Sequence, residues 1–254
     1  MNTIQLTKKE NYTIVQLNRG KVNAINQQMV NELSTVFDDL QHDESVKGVV
    51  LTGIPHFFSA GLDVIELYGY DESQIETFFA AFGSLHIQLA RFTKPLVCAL
   101  TGYAPAGGCV LAIAADYRVM ADDEKYTIGL NEVAVNIQVS NNLVTAYAFW
   151  LGNSKANQYL LEGKLLTAKE ALTSGLIDEV VSLEDVLPQA EKKMKQYLRA
   201  DESIFKNTKK KLRKQWLNGV EADALKDLNE AVQLWWHPNI RAKMKAFVNS
   251  LQGK

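Results

Sequence analysis

Cysteine is scarce in this sequence, with 2 among 254 residues. Cys98 and Cys109 lie in apolar runs with neither Cys-x-x-Cys nor metal-ligand spacing, so two buried free thiols in a reducing compartment are expected. Proline is sparse at 5 residues, and glycine, at 15, shows no period, which excludes collagen-like and low-complexity chains. Net charge is nearly absent: 27 basic against 29 acidic side chains leave −2. No global field therefore recruits nucleic acid or an anionic membrane. No apolar run nears the ~20 residues of a membrane-spanning helix, and the opening MNTIQLTKKENY has no apolar signal core. A soluble cytoplasmic protein is the expectation.

Several motifs are missing as well. No Gly-x-Gly-x-x-Gly opens a helix, and the stretch from Gly102 to Gly108 lacks the Lys-Ser/Thr of a phosphate loop. Neither Gly-x-Ser-x-Gly nor His-Glu-x-x-His occurs, so dinucleotide, nucleotide triphosphate, serine hydrolase and zinc peptidase chemistry all lose support. His42, His56, His86 and His237 fall in unrelated segments; each reads as an exposed helix or loop residue without a role, and no metal site is assigned.

What is present is a core-forming pattern. Hydrophobic residues make up 47% of the chain and charged ones 22%, enough to bury a sizeable core without a disulfide staple. Thr3 to Leu6 and Tyr12 to Leu17 are β-prone runs around a polar turn, a predicted hairpin. From Asn26, a plausible N-cap, Met29, Val30, Leu33, Val36, Phe37 and Leu40 recur at three and four, the spacing of a one-sided helix. Val46 to Thr52 reads as a buried strand, followed by a loop to Asp63, a helix from about Asp71 to Phe92, and another buried strand, PLVCAL. After a small-residue turn over Gly102 to Gly108, CVLAIAA reads as a helix, DYRVMA as a strand and Tyr126 to Ile128 as a short one. Beyond Ser140 the spacing is helical, with Thr167 as a cap, interrupted by a strand at Ile177 to Val181. Strands alternating with helices predict an α/β fold with parallel pairing. The chain divides into an α/β part to about residue 195 and a helical tail.

Two glycine-bearing turns, HFFSAGLDV and TGYAPAGGCVLA, each follow a predicted strand. The C-terminal ends of parallel strands gather on one edge, where ligands bind. A helix starting after Ala106-Gly107-Gly108 offers unpaired N–H groups, and glycine lets backbone approach a ligand closely. Two such N–H groups aimed at one carbonyl oxygen would make an oxyanion hole. Glycine after a strand also marks an ordinary tight turn, so both readings stand at this point.

The blocks FFSAGLDV, TGYAPAGGCVLAIAADYRVMADD, YTIGLNEVAVNI and LLTAKEALTSGLIDEVV resemble, in order and spacing, the enoyl-CoA hydratase and isomerase (crotonase) superfamily. The resemblance extends over nearly the whole chain, including LNRGKVNAIN. It implies a crotonase-like spiral of β-β-α units over residues 1–195, with a helical trimerisation region over 196–254. It also implies a homotrimer or a dimer of trimers, and an acyl-CoA thioester as substrate, with no metal or redox cofactor. Carried over residue by residue, the thioester oxygen would be held by the backbone N–H groups of Leu62 and Gly107. Ala60, Gly61, Leu62, Asp63 and Val64 would contact the coenzyme A moiety, and Lys21 to Ile25 matches the nucleotide-side segment.

The hydratases that this chain resembles carry two glutamates. At the first position stands Val110; the second is retained as Glu132, after Leu130 and Asn131. A valine neither exchanges a proton nor holds a water, so hydration is disfavoured and the pattern is most similar to the Δ3,Δ2-enoyl-CoA isomerases. There one carboxylate removes a proton from C2 and returns one to C4. Another enolate-forming reaction of the superfamily, hydration included, and a non-catalytic acyl-CoA binder are the alternatives. Asn131 either orients substrate or caps a turn, Asp63 either lines the pocket or caps a helix, and Asp116 and Arg118 read as structural. Lys206, Lys209, Lys210, Lys211, Arg213 and Lys214 form either a solvated face or a contact to coenzyme A phosphates. Phe78, Phe79 and Phe82 line the acyl pocket or pack in the core. Trp235, Trp236, Phe247 and Leu251 are docking or core residues, and the polar Ser140, Asn141 and Asn142 depart from the hydratase pattern where relatives shape that pocket.

Overall fold

A computed structural model describes residues 1–218 and 220–253. The chain opens on β1 (Ile4–Lys8) and β2 (Thr13–Leu17), antiparallel with Ile4 opposite Leu17. Helix α1 (Gln27–His42) starts where the Asn26 side chain accepts the Met29 N–H, and it buries the six apolar residues whose spacing predicted it. Strand β3 (Val49–Thr52) leads through a two-residue strand, β4 (His56–Phe57), to the short helix α2 (Val64–Tyr68) and then to α3 (Glu72–Arg91). Asp71 and Gln74 close a capping box at the start of α3. The wholly buried β5 (Leu96–Leu100) is followed by β6 (Gly102–Pro105) and α4 (Gly107–Ile113). Then come β7 (Tyr117–Ala121), β8 (Thr127–Gly129), a single 3₁₀ turn over Glu132–Val135, and α5 (Asn141–Glu162).

The first sheet runs β1-β2-β3-β5-β7-β10, closed at its edge by β10 (Glu179–Val181); the second runs β4-β6-β8-β9, ending on β9 (Leu166–Thr167). From β2 through β10 the first sheet is parallel, and β4, β6 and β8 are parallel in the second. From β3 to β8 the chain lays one strand in the first sheet, the next in the second, and returns through a helix before repeating. This is the expected β-β-α spiral, and it brings the ends of β3 and β5 side by side.

Two stretches differ from expectation. The segment between Thr52 and Asp63 was predicted as a loop and holds β4, and the Gly102 to Gly108 turn holds β6. Both strands are too short to show a period, and they exist because the second sheet pairs His56 with Gly102 and Ala104 with Ile128. The first stretch of helical spacing beyond Ser140 forms the single element α5, broken at Gly152, whose φ of 73° and ψ of 157° interrupt the helical backbone.

After α6 (Ala168–Ser174) and α7 (Val186–Tyr197), four helices complete the chain: α8 (Glu202–Leu212), α9 (Lys214–Leu217), α10 (Val220–Trp236) and α11 (Pro238–Gln252). Buried charge fixes the first of them. Lys209 Nζ lies 2.7 Å from one Asp116 oxygen, and Arg213 Nη2 lies 2.7 Å from the other. Lys209 also donates to the Lys94 carbonyl, and Arg213 to those of Ala90 and Ala114. Two members of the basic cluster are therefore internal ties, while Lys206, Lys210, Lys211 and Lys214 are exposed. Arg118 pairs with Asp178 at 2.8 Å and stacks on Trp150, a structural role like that of Asp116. Cys98 and Cys109 are buried and free. Among the described residues no helix is long and apolar enough to cross a membrane.

Candidate active site

The turn after β4 is held by a run of backbone donors. Ser59 N–H donates to the Tyr103 carbonyl, Ala60 N–H to Val22, Gly61 N–H to Ser59 Oγ and Asp63 N–H to Ile25. The Leu62 N–H in their midst has no partner among the described residues. Gly61 adopts a φ of 88°, which a side chain would strain, and this turns Leu62 away from the ladder on either side.

The turn into α4 is strained in a similar way. Ala106 has φ 44° and ψ −116°, a conformation L-residues rarely adopt, at a cost of about 1–3 kcal/mol. The Ala106 N–H bond to the Gly129 carbonyl, 2.8 Å long, helps to hold it. Gly107 then opens α4, and its N–H, one of the donors every helix start leaves over, also lacks a partner among the described residues. The two turns touch. A Cβ added to Gly107 would stand 3.4 Å from Leu62 N, and one added to Gly61 would stand 3.5 Å from Gly107 N.

Beside these turns lies a largely apolar cavity of about 290 Å³, walled by Leu62, Phe82, Val110, Glu132 and Leu143, with Leu228 of α10 on its far side. Glu132 begins the 3₁₀ turn after β8, only 6% exposed. One of its carboxylate oxygens, Oε2, is buried without a hydrogen-bond partner. Burial outweighs a bond from its own backbone N–H and pushes its pKa from 4.5 up to about 7. Among the described residues Asp227 is the other carboxylate in the wall, and it accepts the Asn141 N–H at 2.7 Å. Among the described residues the cavity thus offers one uncommitted carboxylate, poised to take or give a proton near neutrality.

Other sequence candidates fall into place around it. Val110 lines the cavity, as do Phe79 and Phe82, whereas Phe78 is wholly buried in the core. Asn131 precedes Glu132, makes no side-chain cap, and leaves its Oδ1 buried and unpartnered. Ala60 is exposed beside the turn, and Val64 opens α2. The Asp63 carboxylate is committed on both sides, capping α2 through the Glu66 N–H and pairing with Arg19 at 2.7 Å. Ser140 caps α5, and Asn142 accepts from Trp216; both line the cavity. Trp235 is buried against Phe79, while Phe247 and Leu251 are exposed.

The reading of His86 as exposed is corrected: it is 1% exposed and lines the cavity. Its Nδ1 lies 2.8 Å from the Val110 carbonyl, and burial pushes its pKa down to about 4, so it is neutral with Nδ1 as donor. One polar residue among the apolar positions of α3 was the signal available in the sequence. Arg19 was missed altogether, and only its place in LNRGKVNAIN marked it.

The chain is similar to known proteins in sequence and in fold. The sequence profile of the enoyl-CoA hydratase/isomerase family matches residues 7–253, and the chain belongs to that family. "Enoyl-CoA delta isomerase 1, mitochondrial" of Mus musculus is 31% identical over 242 residues, spanning 95% of this chain and 84% of that protein. The crystal structure of human mitochondrial delta3-delta2-enoyl-CoA isomerase matches with a TM-score of 0.95 at 27% identity, covering 99% of each chain. A probable enoyl-CoA hydratase of Mycobacterium leprae (strain TN) is 33% identical over 192 residues, spanning 74% of this chain and 72% of that protein.

Proposed function

We propose that this protein isomerises unsaturated acyl-CoA thioesters, moving a C3–C4 double bond to C2–C3 with Glu132 as the sole proton shuttle. The observation that carries the reading is the one uncommitted carboxylate of the cavity among the described residues, held near pKa 7; the resemblance to the hydratases adds that Val110 stands where they carry a second acid. The similarity to isomerases over 95% of this chain, against 74% for the hydratase, points the same way.

The chemistry follows from placement. Glu132 as carboxylate removes a proton from C2. The electron pair left behind delocalises onto the thioester oxygen, where the Leu62 and Gly107 N–H groups stabilise the negative charge; one such donor is worth about 3 kcal/mol of the barrier. The protonated Glu132 then returns its proton to C4, the double bond settles at C2–C3, and the composition of the substrate is unchanged. The apolar cavity receives the acyl chain. The backbone of Ala60 to Val64 lies along the coenzyme A moiety, with the Asp63 carboxylate serving the turn's own architecture, and Asn131 Oδ1 is free to meet a substrate donor. A homotrimer or dimer of trimers in the cytoplasm is part of the same proposal.

Incubation with 3-enoyl-CoA and, separately, 2-enoyl-CoA thioesters, followed by mass and chromatography, tests it. Conversion of 3-enoyl to 2-enoyl thioester without mass change, lost in Glu132→Gln, is the expected result. A gain of one water from the 2-enoyl substrate would favour a hydratase. Tight binding without turnover would favour a binding protein.

A further inference from the structure

The segment from Leu17 to Asn26 lies along the turn that carries Leu62. Ile25 N–H donates to the Gly61 carbonyl at 2.8 Å, and the Ile25 carbonyl accepts the Asp63 N–H at 2.9 Å. These two bonds flank Leu62 and fix the peptide plane that carries its unpaired N–H together with the plane that follows. They hold only while the two segments stay in register.

One side chain ties the segments together at that point. Arg19 Nη1 donates to the Ala24 carbonyl at 2.8 Å on its own segment and reaches Asp63 at 2.7 Å on the other. Its Nη2 reaches Glu66 on α2 at 2.8 Å. Glu66 is held in turn by the Asn26 amide and the Tyr70 hydroxyl, the latter at 2.6 Å. The backbone of Arg19 is fixed as well, since its N–H donates to Asn23 Oδ1 at 2.8 Å, and Asn23, in the left-handed region with φ 50°, anchors to the Leu17 and Phe58 carbonyls. The planar guanidinium fork reaches a carbonyl and two carboxylates from two separate nitrogens, a span that the single nitrogen of an ammonium lacks.

We infer that Arg19 is a positioning residue for catalysis: it clamps the Ile25–Leu62 register and thereby aims the Leu62 N–H at the thioester oxygen. This rests on the oxyanion hole proposed above. Arg19 acts through backbone and touches no substrate. A donor turned off line loses its contribution to the developing negative charge more than to the neutral ground state, so the loss falls on kcat and spares KM.

The test compares wild type, Arg19→Lys and Arg19→Gln. It reads thermal melting, kcat and KM with 3-enoyl-CoA, and the infrared carbonyl stretch of bound, isotope-labelled 2-enoyl-CoA, whose shift to low frequency reports polarisation by the hole. For Arg19→Gln we expect kcat to fall roughly thirtyfold with KM within threefold, and the carbonyl shift to shrink, Arg19→Lys lying between. Unchanged kcat and carbonyl shift in a folded variant, whatever its melting temperature, would overturn the inference, as would a wild-type complex with no carbonyl shift. If Arg19→Gln does not fold, Arg19→Lys decides on the same two readouts. A wild type that polarises the carbonyl through Arg19 without converting 3-enoyl-CoA would sink the isomerase reading and keep this one.

Discussion

A base that is also the least solvated carboxylate of the cavity should show itself in two pH dependences of opposite meaning. In the proposed mechanism Glu132 works as carboxylate, and burial holds its pKa at about 7 instead of 4.5. Turnover should therefore rise tenfold per pH unit up to neutrality and level off above it; at pH 5 about one molecule in a hundred carries the base, and the rate lies about a hundredfold below its plateau. Stability runs the other way. A carboxyl whose pKa is raised on folding stabilises the fold below pH 4.5, and that contribution is lost as pH rises through 7. A tenfold change in proton affinity is worth about 1.4 kcal/mol, so the displacement from 4.5 to about 7 corresponds to about 3 kcal/mol. Glu132→Gln, which cannot ionise, should be more stable than wild type by about 2–3 kcal/mol at pH 8 and by nearly nothing at pH 4.5, while its turnover is lost. Urea denaturation at the two pH values and the pH profile of kcat, followed by the absorbance of the conjugated product, measure both. A turnover midpoint near pH 4.5, or a Glu132→Gln protein that is no more stable at pH 8, would refute the argument from burial.

The remaining predictions concern the surroundings of that carboxylate. Gly107→Ala places a methyl 3.4 Å from Leu62 N and 3.1 Å from the side-chain tips of Ile25 and Leu62. It should cost about a hundredfold in kcat with little change in melting temperature; kcat within threefold of wild type would remove these amides from the mechanism. His86, with its pKa pushed down to about 4, stabilises the fold above pH 6.5, and that contribution is lost as pH falls towards 4. Its ring resonances should show no protonation between pH 8 and 5 by NMR, and a midpoint near 6.5 would contradict its burial. Asp116→Ala strands Lys209 and Arg213 as buried charges and should cost about 3–5 kcal/mol of stability. A loss under about 1 kcal/mol in urea would show that the two cations find other partners.

Much of this molecule is legible in its sequence because its long elements bury one face. The spacing from Met29 to Leu40 marks the buried face of α1 and Asn26 its start, and the β-branched and apolar runs at Val49 and Leu96 mark the strands that carry the two turns. Local chemistry was readable too, as in the Asn26 cap and the Thr167 capping box. The second sheet was not readable. β4 is two residues long, and such a strand owes its existence to a partner about 45 residues away in sequence, a relation no local period records. The same limit hid Arg19, whose three partners are spread from Ala24 to Glu66, and it mislabelled His86, because one polar side chain in a helix reads as solvated until another helix covers it.

The helical tail makes the same point about the site itself. Its basic cluster read as either a solvated face or a phosphate contact, yet Leu228 and Ala231 of α10 form part of the cavity wall, and Trp216 of α9 packs on His86 and donates to Asn142, two further wall residues. Lys209 and Arg213 explain how the tail can serve there. Their shared carboxylate, Asp116, also accepts the Leu96 N–H at the start of β5, whose other end leads through β6 to Gly107. The α8 helix and the strand leading to one of the two turns are thus registered to each other through one buried ion cluster. A change in that cluster would be felt in the width of the cavity as well as in stability. If the cavity receives the acyl chain as proposed, chain-length preference is set by residues beyond 195 as much as by the glycine turns that made the family recognisable.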